Sequence, residues 1–184
     1  MPVQTPICDF GKKALPFELK STDNKIISLD DIKGENGTLI MFICNHCPYV
    51  KAVTKEIVED CNELKKIGIN SVAICSNDFI NYPDDSFDNM IKFSKDNQFS
   101  FPYLQDETQE IAKAYDAVCT PDFFGYDKNL GLQYRGRLRE LKNFVPVKDG
   151  KSDLLKAMKQ IAETGKGPQD QIPSAGCGIK WKFD

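Results

Sequence analysis

The alternation of strand-like and helix-like periods predicts an α/β sandwich, a mixed central sheet flanked by helices with a β-hairpin extending it at the N-terminal side. Three segments carry this reading. Residues 39–43 (Leu-Ile-Met-Phe-Ile) form an unbroken apolar run, the pattern of a strand buried on both faces. Residues 48–67 then place Val50, Val53, Ile57, Val58, Cys61 and Leu64 at helical spacing, with Gly68 to close the helix. Residues 69–75 return to the pattern of a buried strand.

The remaining elements follow in order. Residues 17–20 and 26–29 are short strand-like pieces around the turn-forming run 22–25, hence the hairpin, and 33–37 is a polar turn. Residues 76–85 read as a loop and 86–96 as a helix with Phe87, Met90, Ile91 and Phe93 inward. A short extended piece at 101–104 and a helix at 107–115 come next. Residues 123–126 and 132–134 form a second hairpin turning around Asn129-Leu130-Gly131, and 152–162 a last helix. The expected organisation is one domain over 1–164 and a C-terminal tail, 165–184, rich in Gly, Pro and Gln.

Composition narrows the function. With 41% hydrophobic and 28% charged residues the chain is globular, and a net charge of −3 with a pI near 5.3 supplies no cationic face for nucleic acid or an anionic membrane. The first ten residues lack a basic stretch followed by an apolar one, and no apolar run approaches a bilayer span, so a cytoplasmic protein is expected. Seven cysteines, an odd number and scattered apart from one close pair, do not form a secreted disulfide framework. In a reducing compartment a close pair signals redox or metal chemistry.

That pair lies in Cys44-Asn45-His46-Cys47-Pro48, where a buried strand hands over to a helix. A thiolate at a helix N-terminus is stabilised by free backbone N–H groups and the positive end of the dipole, which lowers its pKa and makes it nucleophilic. Two intervening residues allow the second sulfur to resolve a mixed disulfide. Cys44 is expected to be the more exposed, attacking thiol. His46, the one histidine of the chain, sits between the sulfurs, and as an imidazolium it would further stabilise a thiolate. Such stabilisation favours the reduced form, placing the couple toward the oxidising end of the range of about −270 to −120 mV.

Over residues 16–162 the sequence resembles the peroxiredoxin-like branch of the thioredoxin superfamily, the alkyl hydroperoxide reductase and thiol-specific antioxidant proteins. The resemblance rests on the motif Cys44 to Pro48, on Cys119-Thr120-Pro121-Asp122-Phe123-Phe124, and on the hairpin ending Tyr134-Arg135-Gly136-Arg137. It implies a thioredoxin-like fold. It also implies a cis Thr120–Pro121 bond facing the dithiol, with Thr120, Pro121 and Pro48 in the substrate-binding region. The departures matter as well. Aligned on Cys47, the Pro-x-x-x-Thr-x-x-Cys pattern of peroxiredoxins has Ile40 at the proline and Cys44 at the threonine. Ile43 stands where thioredoxin has tryptophan, and Asn45-His46 where it has Gly-Pro. No acid lies between Thr38 and Ile43 to act as thioredoxin's buried carboxylate, a role left to His46.

The expected function is thus disulfide exchange with protein or small-molecule thiols and disulfides, with a thioredoxin-like electron donor as one candidate partner and no cofactor. Peroxidase activity with Cys47 attacked and Cys44 resolving is one alternative. A copper or zinc site on Cys44, His46 and Cys47 is another. Cys61 and Cys75 fall on core positions, and Cys8 lies near a loose end. Cys119, two residues before Pro121, and Cys177 are candidate resolving thiols, although Trp181 as a simple tail anchor is the plainer reading of the tail. Arg135, Arg137 and Arg139 alternate as on a solvated edge strand.

Overall fold

The computed structural model describes residues 2–183. It opens with β1 (Val3–Gln4), the hairpin β2 (Glu18–Ser21) and β3 (Ile26–Ser28), and a one-turn helix α1 (Leu29–Ile32). The buried unit follows: β4 (Gly37–Phe42), α2 (Pro48–Lys66) and β5 (Ile69–Cys75). Then come α3 (Phe87–Asp96), β6 (Tyr103–Gln105), α4 (Glu110–Ala114), β7 (Cys119–Thr120) and the hairpin β8 (Asp122–Tyr126) with β9 (Leu132–Tyr134). A small ribbon of β10 (Leu141–Lys142) and β11 (Val145–Pro146), helix α5 (Asp153–Thr164) and β12 (Ala175–Gly178) complete the chain.

The seven-stranded sheet has the order β3-β2-β6-β5-β4-β8-β9. β4 pairs with β5 and β5 with β6 in parallel, while the other neighbours are antiparallel, so the sheet is mixed and flanked by helices as the sequence predicts. β4 is buried throughout, and its side chains alternate between two cores in the two-residue period of a strand. Leu39, Met41 and Ile43 pack with α2 and α5; Ile40 and Phe42 pack with α1 and α4.

Several local features explain themselves. The serine and aspartate of 28–31 form a reciprocal capping box, in which Ser28 Oγ accepts from Asp31 N–H and Asp31 accepts from Ser28 N–H; it starts α1 where the sequence reading had continued a strand. Asp127 accepts from the N–H groups of Asn129 (2.8 Å) and Gly131 (3.0 Å), which turns the β8–β9 hairpin at the expected place. Ser152 caps α5 by accepting from Leu155 N–H.

Two expectations are corrected. The N-terminus is held, since β1 pairs with β12 and Thr5 N–H donates to the Ser174 carbonyl at 2.9 Å. The three arginines do not line a solvated face. Arg135 is buried on Asp122, Arg137 pairs with Asp153 at 2.7 Å, and Arg139 reaches Glu56 on α2. A strand's alternation cannot show that a hairpin is roofed by a helix and a returning tail, and here both cover it.

Candidate functional site

Strand β4 delivers Cys44 and helix α2 begins immediately after Cys47, with Pro48 in its first position. Proline there loses nothing, because the first N–H of a helix has no partner within it. Cys47 therefore occupies the N-cap itself. The expected difference in exposure between the sulfurs is absent: Cys44 is 1% exposed and Cys47 0%.

Their surroundings instead drive the two pKa values in opposite directions. The hydrogen bond from the Cys44 thiol pulls the Cys47 pKa well below the ordinary thiol range against the effect of burial, helped by bonds from Cys177, Thr120 and the Val50 N–H. Cys44 is driven the opposite way, first by that same bond, then by burial and by the negative charge of Asp85. The two thiols titrate as a coupled pair, with Cys47 held toward the thiolate and Cys44 toward the thiol, the opposite direction from the expectation that Cys44 is the attacking thiol.

Thr120 bridges the sulfurs. Its hydroxyl lies 3.4 Å from Cys44 Sγ, and a protonated Cys47 donates to its carbonyl at 3.3 Å. The Thr120–Pro121 bond is cis, as the resemblance implies. Pro121 also borders a groove of about 240 Å³ that runs between Tyr49, Phe123 and the Ser174–Ala175 end of β12; none of the cysteines lines it.

A buried carboxylate stands beside the motif after all. Asp85, at the end of a short 3-10 turn (Pro83–Asp85), accepts from the Asn45 N–H and from Asn77 Nδ2, both at 2.8 Å. Its Oδ2 lies 2.6 Å from His46 Nδ1, a close contact whose alignment falls short of a hydrogen bond. His46 thus sits against Asp85, with its ring stacked parallel to Tyr82. Cys44 Sγ, a nitrogen of His46 and a carboxylate oxygen of Asp85 lie within 4.8 Å of one another, so the donors that could share a metal include Asp85 in place of Cys47. Sequence reasoning missed Asp85 because it is 40 residues from the residue it supports and carries no periodic signal.

The other cysteines separate clearly. Burial pushes Cys61 and Cys75 up to about 12, which keeps them protonated in the core as expected. Cys119 is fully buried, its pKa is raised by burial, and its thiol donates to the Pro121 carbonyl at 3.6 Å. Cys177 is brought to the dithiol. β12 runs antiparallel to β7 with Cys177 opposite Thr120, whose carbonyl accepts from Cys47 at 3.3 Å, and Cys177 packs against the core cluster that holds Cys44 and Cys47. Trp181 also anchors the tail, packing against the α1 and α4 side of the core.

A thioredoxin-like sandwich with a dithiol at a helix N-terminus opposite a cis-proline defines a thiol-based redox protein class. Residues 10–139 match the AhpC/TSA family, and the chain belongs to it. Two solved structures are similar over nearly their whole length. An uncharacterized conserved protein from Geobacillus kaustophilus is 44% identical with a TM-score of 0.93, covering 100% of this chain and 98% of that one. A hypothetical protein from Sinorhizobium meliloti 1021 is 31% identical with a TM-score of 0.90 over 98% of both chains. The thioredoxin domain of a thiol-disulfide oxidoreductase from Bacteroides vulgatus shares the fold at 16% identity and a TM-score of 0.58, covering 73% of this chain and 89% of that one. The comparison with curated proteins finds no match. Among the described residues no helix is long and apolar enough to cross a membrane.

Proposed function

We propose that this protein is a thiol–disulfide oxidoreductase in which Cys44 and Cys47 cycle between dithiol and disulfide while a thiol or disulfide partner undergoes the opposite change. The observation that carries this reading is the placement of both sulfurs at the start of α2, Cys47 at its N-cap, with Thr120 of the cis Thr120–Pro121 bond within hydrogen-bond reach of each. In the reducing direction, a partner that displaces the cover over the buried dithiol presents its disulfide to the Cys47 thiolate, which attacks one sulfur and expels the other as thiolate. Cys44 then loses its proton and attacks Cys47 Sγ. The Cys44–Cys47 bond forms, the mixed disulfide breaks, and the partner leaves fully reduced. His46 and Asp85 fix the loop that holds Cys44 and act as positioning residues.

Peroxide reduction needs, in addition, groups that orient and polarise the O–O bond. The threonine that peroxiredoxins place three residues before the reactive cysteine is here Cys44, which offers a thiol in place of the hydroxyl. Stopped-flow measurement against insulin and against hydrogen peroxide tests the reading. Wild-type protein should reduce the insulin disulfides and react with peroxide no faster than an ordinary thiolate, and Cys44→Ser should abolish the first activity. Peroxide consumption at a dedicated peroxidase rate that survives Cys44→Ser would overturn it.

A further inference from the structure

Both sulfurs of the proposed dithiol are sealed from solvent, yet disulfide exchange needs a sulfur that a partner can reach in line. One cysteine packed against this centre is partly exposed: Cys177, which the β12–β7 register sets opposite Thr120, the residue whose carbonyl accepts from Cys47. We propose that Cys177 is a third redox thiol and the exchange port of this centre, passing electrons from small external thiols to Cys47 and thence to Cys44. The inference rests on the disulfide-exchange reading of Cys44 and Cys47, and adds the route and the partner class.

The placement of Cys177 is built into the fold. β12 is the middle strand of a three-stranded sheet, paired with β1 on one side and β7 on the other. Ser174 Oγ donates to the Pro121 carbonyl at 2.8 Å, and Lys180 N–H donates to Asn77 Oδ1 at 2.9 Å, so the strand is fixed at both ends. Gly176 permits the approach, because a Cβ there would lie 2.0 Å from the Thr120 carbonyl oxygen. With β12 on it, the Thr120 edge is taken by the chain's own tail, and an extended polypeptide cannot add as a strand there. A small thiol needs no such edge. Lys180, whose Nζ donates to the Gly178 carbonyl at 3.1 Å, places positive charge beside Cys177, which suits an anionic thiol.

The steps balance. In the oxidised protein the Cys177 thiol gives up its proton and its sulfur attacks Cys47 Sγ. The Cys47–Cys177 bond forms, the Cys44–Cys47 bond breaks, and Cys44 leaves as thiolate and is protonated, with no net change of oxidation state. An external thiolate then attacks Cys177 Sγ and expels Cys47. Cys47 is the better leaving group of the two because it sits at the N-cap of α2, where the helix start stabilises a departing thiolate. A second external thiolate attacks the external sulfur of the mixed disulfide, freeing Cys177 and releasing the external disulfide. Two external thiols have lost two electrons and the protein disulfide has gained them.

The test uses glutathione as the probe on the full chain. Oxidised with glutathione disulfide and mapped by mass spectrometry, Cys44→Ser should hold a Cys47–Cys177 bond; a glutathione adduct persisting on either sulfur would overturn the proposal. Cys177→Ser should still form Cys44–Cys47, but reduced glutathione should re-reduce it at least about tenfold more slowly than wild type. An unchanged rate overturns the port while leaving the dithiol reading intact. Loss of the Cys44–Cys47 bond from wild type itself is the separate failure of that reading, and the three-thiol relay falls with it. Gly176→Val keeps every cysteine but lifts β12 from Thr120. Folded by circular dichroism, it should slow re-reduction as Cys177→Ser does, and wild-type behaviour would refute the role of the strand.

Discussion

Arg135→Met isolates one buried charge beside the site. The guanidinium donates to Asp122 through Nε at 3.2 Å and Nη2 at 2.9 Å, and the side chains are 6% and 0% exposed. Removing one partner of a buried ion pair leaves an uncompensated charge, which costs about 3–5 kcal/mol. For a chain of this length each kcal/mol lowers the melting midpoint by about 2–4 °C, so a fall of about 10 °C is expected. The pH dependence has a definite sign. Burial already raises the Asp122 pKa above 3.8 and Arg135 opposes the rise. Without the arginine the folded-state pKa climbs further, so the folded protein binds more protons than the unfolded one from pH 3.8 upward. Stability of the variant then falls as pH rises through that window, and its deficit against wild type is largest at neutral pH and narrows on acidification. Urea unfolding followed by Trp181 fluorescence at neutral and mildly acidic pH measures this, and Asp122→Asn added to Arg135→Met should recover most of the loss. A deficit below about 1 kcal/mol at neutral pH, or a double variant as unstable as the single one, would refute the reasoning.

Three further outcomes follow from the same structure. The ultraviolet thiolate absorbance of Cys47 should titrate with a midpoint well below the ordinary thiol pKa in Cys44→Ser, whose hydroxyl still donates to Cys47, and the midpoint should move up in Cys44→Ala; equal midpoints for the two would remove Cys44 as the donor. Burial pushes Asp60 up to about 6 from 3.8 although the Ser152 hydroxyl donates to it at 2.6 Å, so stability should decline as pH rises through that interval; Asp60→Asn should flatten the decline in denaturation series across it. Gly125→Ala brings a Cβ to 2.5 Å from Met158 Sδ in the packed core, and the resulting overpacking should cost about 1–3 kcal/mol by calorimetry.

What the sequence by itself determined is what local periodicity encodes. Strand 39–43, helix 48–67 and strand 69–75 were legible because burial on two faces and on one stripe leave different spacings, and together they put the Cys44 and Cys47 dithiol at a helix start. The cis bond before Pro121 came from resemblance and is present. What only the tertiary structure decided concerns partners far apart along the chain. Asp85 reaches His46 and Asn45 from a loop without apolar rhythm. Arg135 finds Asp122 on a hairpin that looks solvated until the Asp116 carbonyl and Gln171 of the tail close around the arginine. β12 has four residues, two of them glycine, too few side chains for any strand period to show. It exists because Thr120 offers an unpaired strand edge, and that edge sets Cys177 against Cys47. Charge obeys the same division: a helix start stabilises a thiolate, but which sulfur holds it depends on donors that the fold gathers from three separate segments, 44–50, 120 and 177.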